Sequence, residues 1–311
     1  MSPEIVSLGE PLLEFNAIES GSMKEIHRYD VGWGGDTSNF SIAVSRMGGS
    51  AGYICRLGND GFGELFLNLW EMEGVDTKKV IIEDGGQTGV YFISRLGEEH
   101  SFTYYRNDSA ASHISPKDVP PEYISKAKVF HSSGISQAIS NSACEAVFHA
   151  MNIAREAGVL ISYDPNVRLE LWDVRRAKAI ILEAISLSDF VLPSLEDAII
   201  LTGLTKPEDI VLNLLERGPK VITLKMGRQG TLLGTVDGIH YFKSFEVDVV
   251  DTTGAGDTFD GAFLTAYLRG CPLSECVCFA NAAAALAITD CGAVKPIPRK
   301  SEVDALLSSL I

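Results

Sequence analysis

The chain has 311 residues, 46% of them hydrophobic and 22% charged, with a formal net charge of −15. That is enough length and apolar content for one large α/β domain with its own core, and so acidic a chain excludes nucleic acid and anionic membranes as expected partners. No apolar run reaches the roughly 18 residues of a membrane span, and no signal-peptide pattern opens the chain, so the cytoplasm is the expected compartment.

Glu4 to Glu10 predicts a short apolar strand ending in glycine, a common start for a doubly wound sheet. Leu12 to Phe15 and Ile26 to Val31 predict two further strands with a wet face. A helix is expected over Asn39 to Met47, a strand over Ser50 to Leu57 and a helix over Glu64 to Glu73. Gly89 to Arg95 and Ser101 to Arg106 flank Gly97-Glu98-Glu99, which is a hairpin signal. Beyond Pro116 strands and helices alternate. Strands are expected at Val129 to Ser132, Val159 to Tyr163, Phe190 to Leu192, Val221 to Lys225 and Thr231 to Thr235. Helices are expected at Asn141 to Ala157, Val174 to Ser186, Ser274 to Thr289 and Lys300 to Leu310. Phe245 to Val250 alternates and reads as a strand feeding a helix that carries Phe259, Ala262, Phe263, Ala266 and Tyr267. The expected class is α/β: a doubly wound, mostly parallel sheet with helices on both faces. The two polar-faced β regions, about 11–34 and 88–107, predict a small β-sheet lid inserted in it.

Between the last predicted strand and its helix stands Asp251-Thr252-Thr253-Gly254-Ala255-Gly256-Asp257. Small residues at a helix start leave N–H groups and the positive end of the helix dipole free for an anion. A carboxylate in such a turn makes sense if Asp257 takes a proton from a hydroxyl while the N–H groups hold a phosphoryl group. The plain alternative is that Asp257 caps the helix.

Four further clusters stand at loop or strand ends. Gly34-Gly35-Asp36-Thr37-Ser38-Asn39 opens a helix and offers hydrogen bonds suited to hydroxyl groups, or a simple cap. Tyr104 and Arg106 share a strand face with Tyr91 in reach, as sheet aromatics also do. Asn166 and Arg168 follow a strand, where they can meet phosphate or carboxylate or merely form an Asp-Pro turn. Lys225 to Gly230 offers glycines for a nucleotide to lie across, and also reads as a hairpin. Six cysteines show no metal-ligand spacing and read as free thiols. No P-loop and no dinucleotide fingerprint is present.

Taken together, Gly34-Gly35 to Gly49 and Asp251 to Asp257 resemble the two signatures of the PfkB/ribokinase sugar kinases, in the usual order. The resemblance covers essentially the whole chain, 1–311, as a single ribokinase-like domain. It implies ATP-dependent phosphorylation of a sugar or sugar acid, with Mg2+ and, as in some relatives, a monovalent cation such as K+ near Asp251 and Thr253. It makes Asp257 the base and Gly254, Ala255 and Gly256 the anion hole. It sets Gly35 and Asn39 against substrate, and Asn166, Lys225, Gly227, Gly230 and Asn281 near the nucleotide. The family's Asn-x-x-Glu motif is replaced here by Ser194-Leu195-Glu196-Asp197, which leaves the metal ligands unassigned.

Within the family, Gly9-Glu10-Pro11-Leu12, Tyr104-Tyr105-Arg106-Asn107, Ser133-Gly134-Ile135-Ser136 and Asn166-Val167-Arg168 resemble the 2-keto-3-deoxygluconate kinases. That resemblance implies transfer to the terminal hydroxyl of the keto acid, giving its 6-phosphate, with Tyr91, Tyr104, Arg106 and Arg168 around the substrate. An Asp that touches substrate in some such kinases is Ala293 here. The rival readings are a fructokinase-like ketose kinase and a non-catalytic sugar-binding regulator. Lid edges invite pairing between subunits, so a homodimer through the lid is expected.

Overall fold

Ile5–Leu8 (β1) is buried along its whole length, as a strand covered by helices on both faces must be. The computed structural model describes residues 2–96 and 99–309. After β1 come strands Leu12–Ala17 (β2) and Tyr29–Gly34 (β3), helix Asp36–Arg46 (α1), strand Ala51–Gly58 (β4), helix Gly61–Met72 (α2) and strand Asp76–Glu83 (β5). A hairpin of Val90–Leu96 (β6) and Glu99–Tyr105 (β7) leads to the short helix Pro121–Ile124 (α3), strand Val129–Ser133 (β8) and helices Gly134–Ala138 (α4) and Asn141–Ala157 (α5). Leu160–Asp164 (β9), Val174–Ser186 (α6), Phe190–Val191 (β10), Leu195–Thr202 (α7) and Pro207–Leu215 (α8) follow. The last part holds strands Val221–Lys225 (β11), Thr231–Thr235 (β12) and Gly238–Phe242 (β13), and helices Ala255–Leu268 (α9), Leu273–Ala287 (α10) and Lys300–Ser308 (α11).

The large sheet runs β13-β12-β11-β10-β9-β8-β1-β4-β5. All neighbours are parallel except β11–β12 and β12–β13, which form an antiparallel edge. One face buries Phe40, Phe66, Trp70, Phe259 and Phe263 beneath α1, α2, α9 and α10. The other buries Phe130, Met151, Ile181, Ile210 and Leu214 beneath α5, α6 and α8. Each such side chain stabilises the fold by about 1.5–3 kcal/mol, so the two helical layers fix the sheet between them. The doubly wound, ribokinase-like arrangement is therefore present, lid included.

That lid is a four-stranded sheet, β3-β2-β6-β7, in which β2 runs parallel to β6. Strand alternation sorts its faces. Phe15 lies opposite Phe92, and their rings stack at 4.9 Å on one face. Glu14 lies opposite Tyr91, and Tyr91 opposite Tyr104, on the other. The expected hairpin turn at Gly97-Glu98 lies outside the described residues, as does Leu310.

Three expectations need correction. Phe245 to Val250 forms no strand: Gly238–Phe242 already holds the sheet edge, and the segment crosses to α9, with Val250 N–H donating to the Ile288 carbonyl at 2.8 Å. Its alternating β-branched residues have no ladder to join, and Val249 and Val250 are exposed. The lid strand expected at Ile26 to Val31 is shifted to Tyr29–Gly34, so Gly32 and Gly34 are strand residues. Helix α1 begins at Asp36 rather than Asn39, which puts Asn39 in its first turn. The edge strands β5 and β13 and the helices α7 and α8 were not expected; β5 opens on Asp76-Thr77-Lys78-Lys79, too polar to read as a strand.

Candidate active site

The carboxyl ends of β1, β8, β9 and β11 and the N-termini of α1 and α9 meet on one side of the sheet, where doubly wound folds carry their sites. Gly254 is the N-cap of α9 in left-handed conformation, φ 76°. A Cβ there would lie 2.7 Å from the Ala293 carbonyl oxygen, so glycine is required twice over. Thr258 is the first residue to join the helical ladder, to Gly254 O at 2.9 Å, and the N–H groups of Gly256 and Asp257 precede it. The turn is thus an anion cradle of the kind helix N-termini provide.

Asp257 sits in the first turn of α9 and accepts a hydrogen bond from Asn39 Nδ2 at 2.8 Å. Burial pushes its carboxyl up to about 7, and the nearby Asp36 adds to the rise. Asn39 and Lys225 work the other way. A carboxylate poised near neutrality and aimed at the cradle is suited to accept a hydroxyl proton. Gly35, φ 94°, starts α1; a Cβ on it would run into the Glu10 carbonyl and Pro11. The close approach of these two backbones brings Asp36 and Asn39 to the site.

Asn166 has φ 33° and donates Nδ2 to Asp36 Oδ2 at 3.1 Å. It thus joins the β9 loop to α1. Asp36 is itself pushed up by burial, eased by hydrogen bonds from Ser133 and the Thr37 amide. Lys225 points inward. Its Nζ reaches Asp164 Oδ2 at 3.0 Å and Asp260 Oδ1 at 2.9 Å. Gly227 and Gly230 bracket a 3-10 turn, and a Cβ at Gly230 would meet the Phe242 carbonyl, so this glycine closes the β11–β12 connection. Asn281 accepts from Thr231 at 2.7 Å and donates to the Lys243 carbonyl at 3.2 Å, holding α10 to the β12–β13 edge.

On the lid side, Tyr91 donates to Glu14 at 2.5 Å and stacks on Tyr104, centroids 5.6 Å apart. The Arg106 guanidinium lies 5.7 Å from the Tyr104 ring. Arg106 was expected as a cation open to substrate. It is instead 8% exposed and ion-paired with the fully buried Glu10, which also accepts from Ser109 at 2.8 Å. Its Nε has no protein partner. Arg168 is exposed and donates to the Val167 carbonyl at 2.8 Å; its charge and that of Arg106 both act on the Tyr104 hydroxyl.

Glu10, Glu14, Asp164 and Asp260 are buried carboxylates that sequence reasoning did not assign to the site, and Asp197, in the stretch that replaces the family's Asn-x-x-Glu motif, is buried with them. The usable signals were modest: Glu10 directly after the first strand, and Asp260 one helical turn beyond Asp257. Asp197, capped by Ser194, is pushed up to about 6 by burial and by Asp164. Among the described residues no group of three or more His, Cys, Asp or Glu side chains is arranged to hold a metal, and no helix is long and apolar enough to cross a membrane. A cavity of about 450 Å3 lies elsewhere, between the C-terminal end of α9, α10 and α11, and does not touch this chemistry.

Residues 2–300 match the pfkB family of carbohydrate kinases. The chain belongs to that family. It is 36% identical to fructokinase-1 of Zea mays, covering 97% of each chain. It is 32% identical to the 2-dehydro-3-deoxygluconokinase of Thermoproteus tenax, covering 98% of this chain and 94% of that one. A chain of ribokinase II type from E. coli, solved in complex with ATP and Mg2+, superposes with a TM-score of 0.93 at 28% identity over 99% of each chain.

Proposed function

We infer that this pfkB-family kinase transfers the γ-phosphoryl group of ATP to the terminal hydroxyl of a small 2-keto sugar, with Asp257 as the base. The observation that carries the reading is Asp257 itself: a carboxyl raised to about 7, held by Asn39 beside the Gly254–Gly256 cradle. The hydroxyl oxygen attacks phosphorus, the bond to ADP breaks, and the hydroxyl proton passes to Asp257. The N–H groups of the turn stabilise the transferring group. A lid closed over the site would exclude water and limit hydrolysis. Mg2+ supplies charge neutralisation on the phosphates. Asp197, a buried carboxyl crowded by Asp164, is the side chain suited to face it, since Mg2+ commonly takes one or two carboxylates plus phosphates and waters. A monovalent cation such as K+ near Asp251 and Thr253 belongs to the same reading, as does a homodimer through the edges of the lid.

For the acceptor, a fructose-like ketose is favoured by two supports. The fructokinase relative has the higher identity of the two curated relatives. The charge of Arg106 is already cancelled by Glu10 inside the site, with Glu14 adding a further carboxylate nearby. A second reading, 2-keto-3-deoxygluconate converted to its 6-phosphate, is supported by Tyr104, which feels both Arg106 and the exposed Arg168. Coupled ADP-release assays with fructose, 2-keto-3-deoxygluconate, its galactonate epimer and ribose test both. Turnover with fructose and background rates with the keto acids support the ketose; the reverse supports the acid. Silence on every sugar with ATP still bound overturns the kinase reading and leaves a sugar-binding regulator.

A further inference from the structure

Lys225 is a largely enclosed cation of the site, and the chain surrounds it from four directions. Its Nζ bridges Asp164 at the end of β9 and Asp260 on α9, and lies 5.9 Å from the Phe259 ring centre. Its backbone N–H donates to Pro193 O at 2.9 Å, and its strand bridges to Ser194, the cap of the helix that carries Asp197. A Cβ built on Gly256 would stand 3.4 Å from Nζ, so the ammonium lies directly under the anion cradle. Asp164 also accepts from the Asn166 amide at 3.1 Å, and Asn166 reaches Asp36. One network therefore runs from Asp260 in the second turn of α9, through Lys225, to the start of α1.

The Lys225 side chain is 14% exposed and places two of its three ammonium donors on internal carboxylates. Despite burial, which opposes a charged amine, Asp164 and Asp260 hold it protonated. Asp260 is pushed far up by burial, against Lys225, and Asp164 is held down by Lys225 in spite of burial. The ammonium thus stands between the two acids, with its Nζ beneath the turn.

We propose that Lys225, held by Asp164 and Asp260, is a positioning residue for phosphoryl transfer, locking the N-terminal part of α9 to the sheet through Asp260 and setting a positive charge beneath the cradle. The proposal rests on the kinase reading. The groups that face Asp257 are Asp36 and Asn39 from α1, Asp164 from β9 and Lys225 from β11. Those that face Lys225 are Asp164, Asp260 and, more distantly, His131 and Asp197.

The test compares wild type, Lys225→Met and Lys225→Arg by ADP release across pH. A parallel 13C-carboxylate NMR titration follows Asp257. Lys225→Met should lower kcat about 100-fold with little change in sugar KM. It should also raise the Asp257 titration by about one pH unit, because a positive charge is lost. Lys225→Arg should recover much of kcat. If Lys225→Met does not fold, Lys225→Met/Asp260→Asn, which removes the cation and one of its two acidic partners together, should show the same two effects. An unmoved Asp257 titration, or a kcat within a few-fold of wild type, overturns the proposal. A wild type that turns over no sugar overturns the kinase reading alone; the NMR arm then still decides the role of Lys225.

Discussion

Asn39 donates to the carboxylate of Asp257 across 218 residues of sequence, tying the first turn of α1 to the first turn of α9. The bond orients the proposed base, and it favours the ionised form, the one able to accept a proton. A neutral amide can take the same place, so the pair separates geometry from proton transfer.

Asp257→Asn should keep the fold and lower kcat about 10³-fold, as loss of a general base does. It should also stabilise the protein. A carboxyl whose native value is raised to about 7 from its ordinary 3.8 is ionised at a cost in the folded state above that pH. The cost fades as pH falls from about 7 and vanishes where both states are protonated. Urea unfolding should therefore show the variant about 1–2 kcal/mol more stable at pH 8 and equal to wild type near pH 3.5. Equal stability at pH 8 would contradict the raised value.

The pH dependence of kcat/KM reports the same group in the free enzyme. Activity should fall on the acid side of about pH 7 as Asp257 takes up a proton, with a slope of one proton. An acid limb near pH 4 would mean the carboxyl is not crowded by Asp36 and its surroundings.

Arg106→Ala leaves Glu10 buried without its counter-charge, and should destabilise the fold by about 3–5 kcal/mol. Arg106→Met/Glu10→Gln removes both charges and should restore most of that stability. Thermal unfolding of the two variants is the measurement. Recovery in the double variant marks the pair as internal, whereas an unchanged loss would give Arg106 a separate role.

Arg168→Ala separates the two acceptor readings without touching the core, because the residue is exposed. If the substrate is a keto acid, its KM should rise about 10-fold, the usual worth of a charge-assisted hydrogen bond. If it is a neutral ketose, KM should stay within two-fold.

Gly254→Ala asks φ 76° of a residue with a Cβ and drives that Cβ to 2.7 Å from Ala293 O. The turn must shift, and kcat should fall about 100-fold even if stability drops little, since misplacement of about 1 Å is costly to reaction geometry. Steady-state kinetics alongside circular dichroism would show a folded, slow enzyme.

The glycine turn and the helix behind it were legible because their residue types admit few conformations: Gly254 needs the left-handed region, and Phe259, Ala262 and Phe263 repeat at helical spacing and bury on one side. Likewise α5 and α6 carry caps and an apolar face that mark both ends. The direction of Lys225 was not legible, because a lysine after a strand looks the same whether its head meets solvent or two carboxylates. Nor was the Glu10–Arg106 pair, whose members stand 96 residues apart and declare nothing until the lid folds over the sheet. The missing Phe245 to Val250 strand has the same cause: alternation supplies a willing strand, and only the sheet decides whether an edge is free for it.

The strand order has a consequence in time. From β1 the sheet grows to one side through β4 and β5, and to the other through β8, β9, β10, β11, β12 and β13, each docking on the one before. A chain emerging from the ribosome can thus add strands outward in the order it is made, as vectorial synthesis favours. The proposed base, Asp257, arrives only with α9, after the last strand. A chain cut short before that helix holds a sheet, the start of α1 and the buried acids Glu10, Glu14, Asp164 and Asp197, without the carboxylate that Asn39 holds.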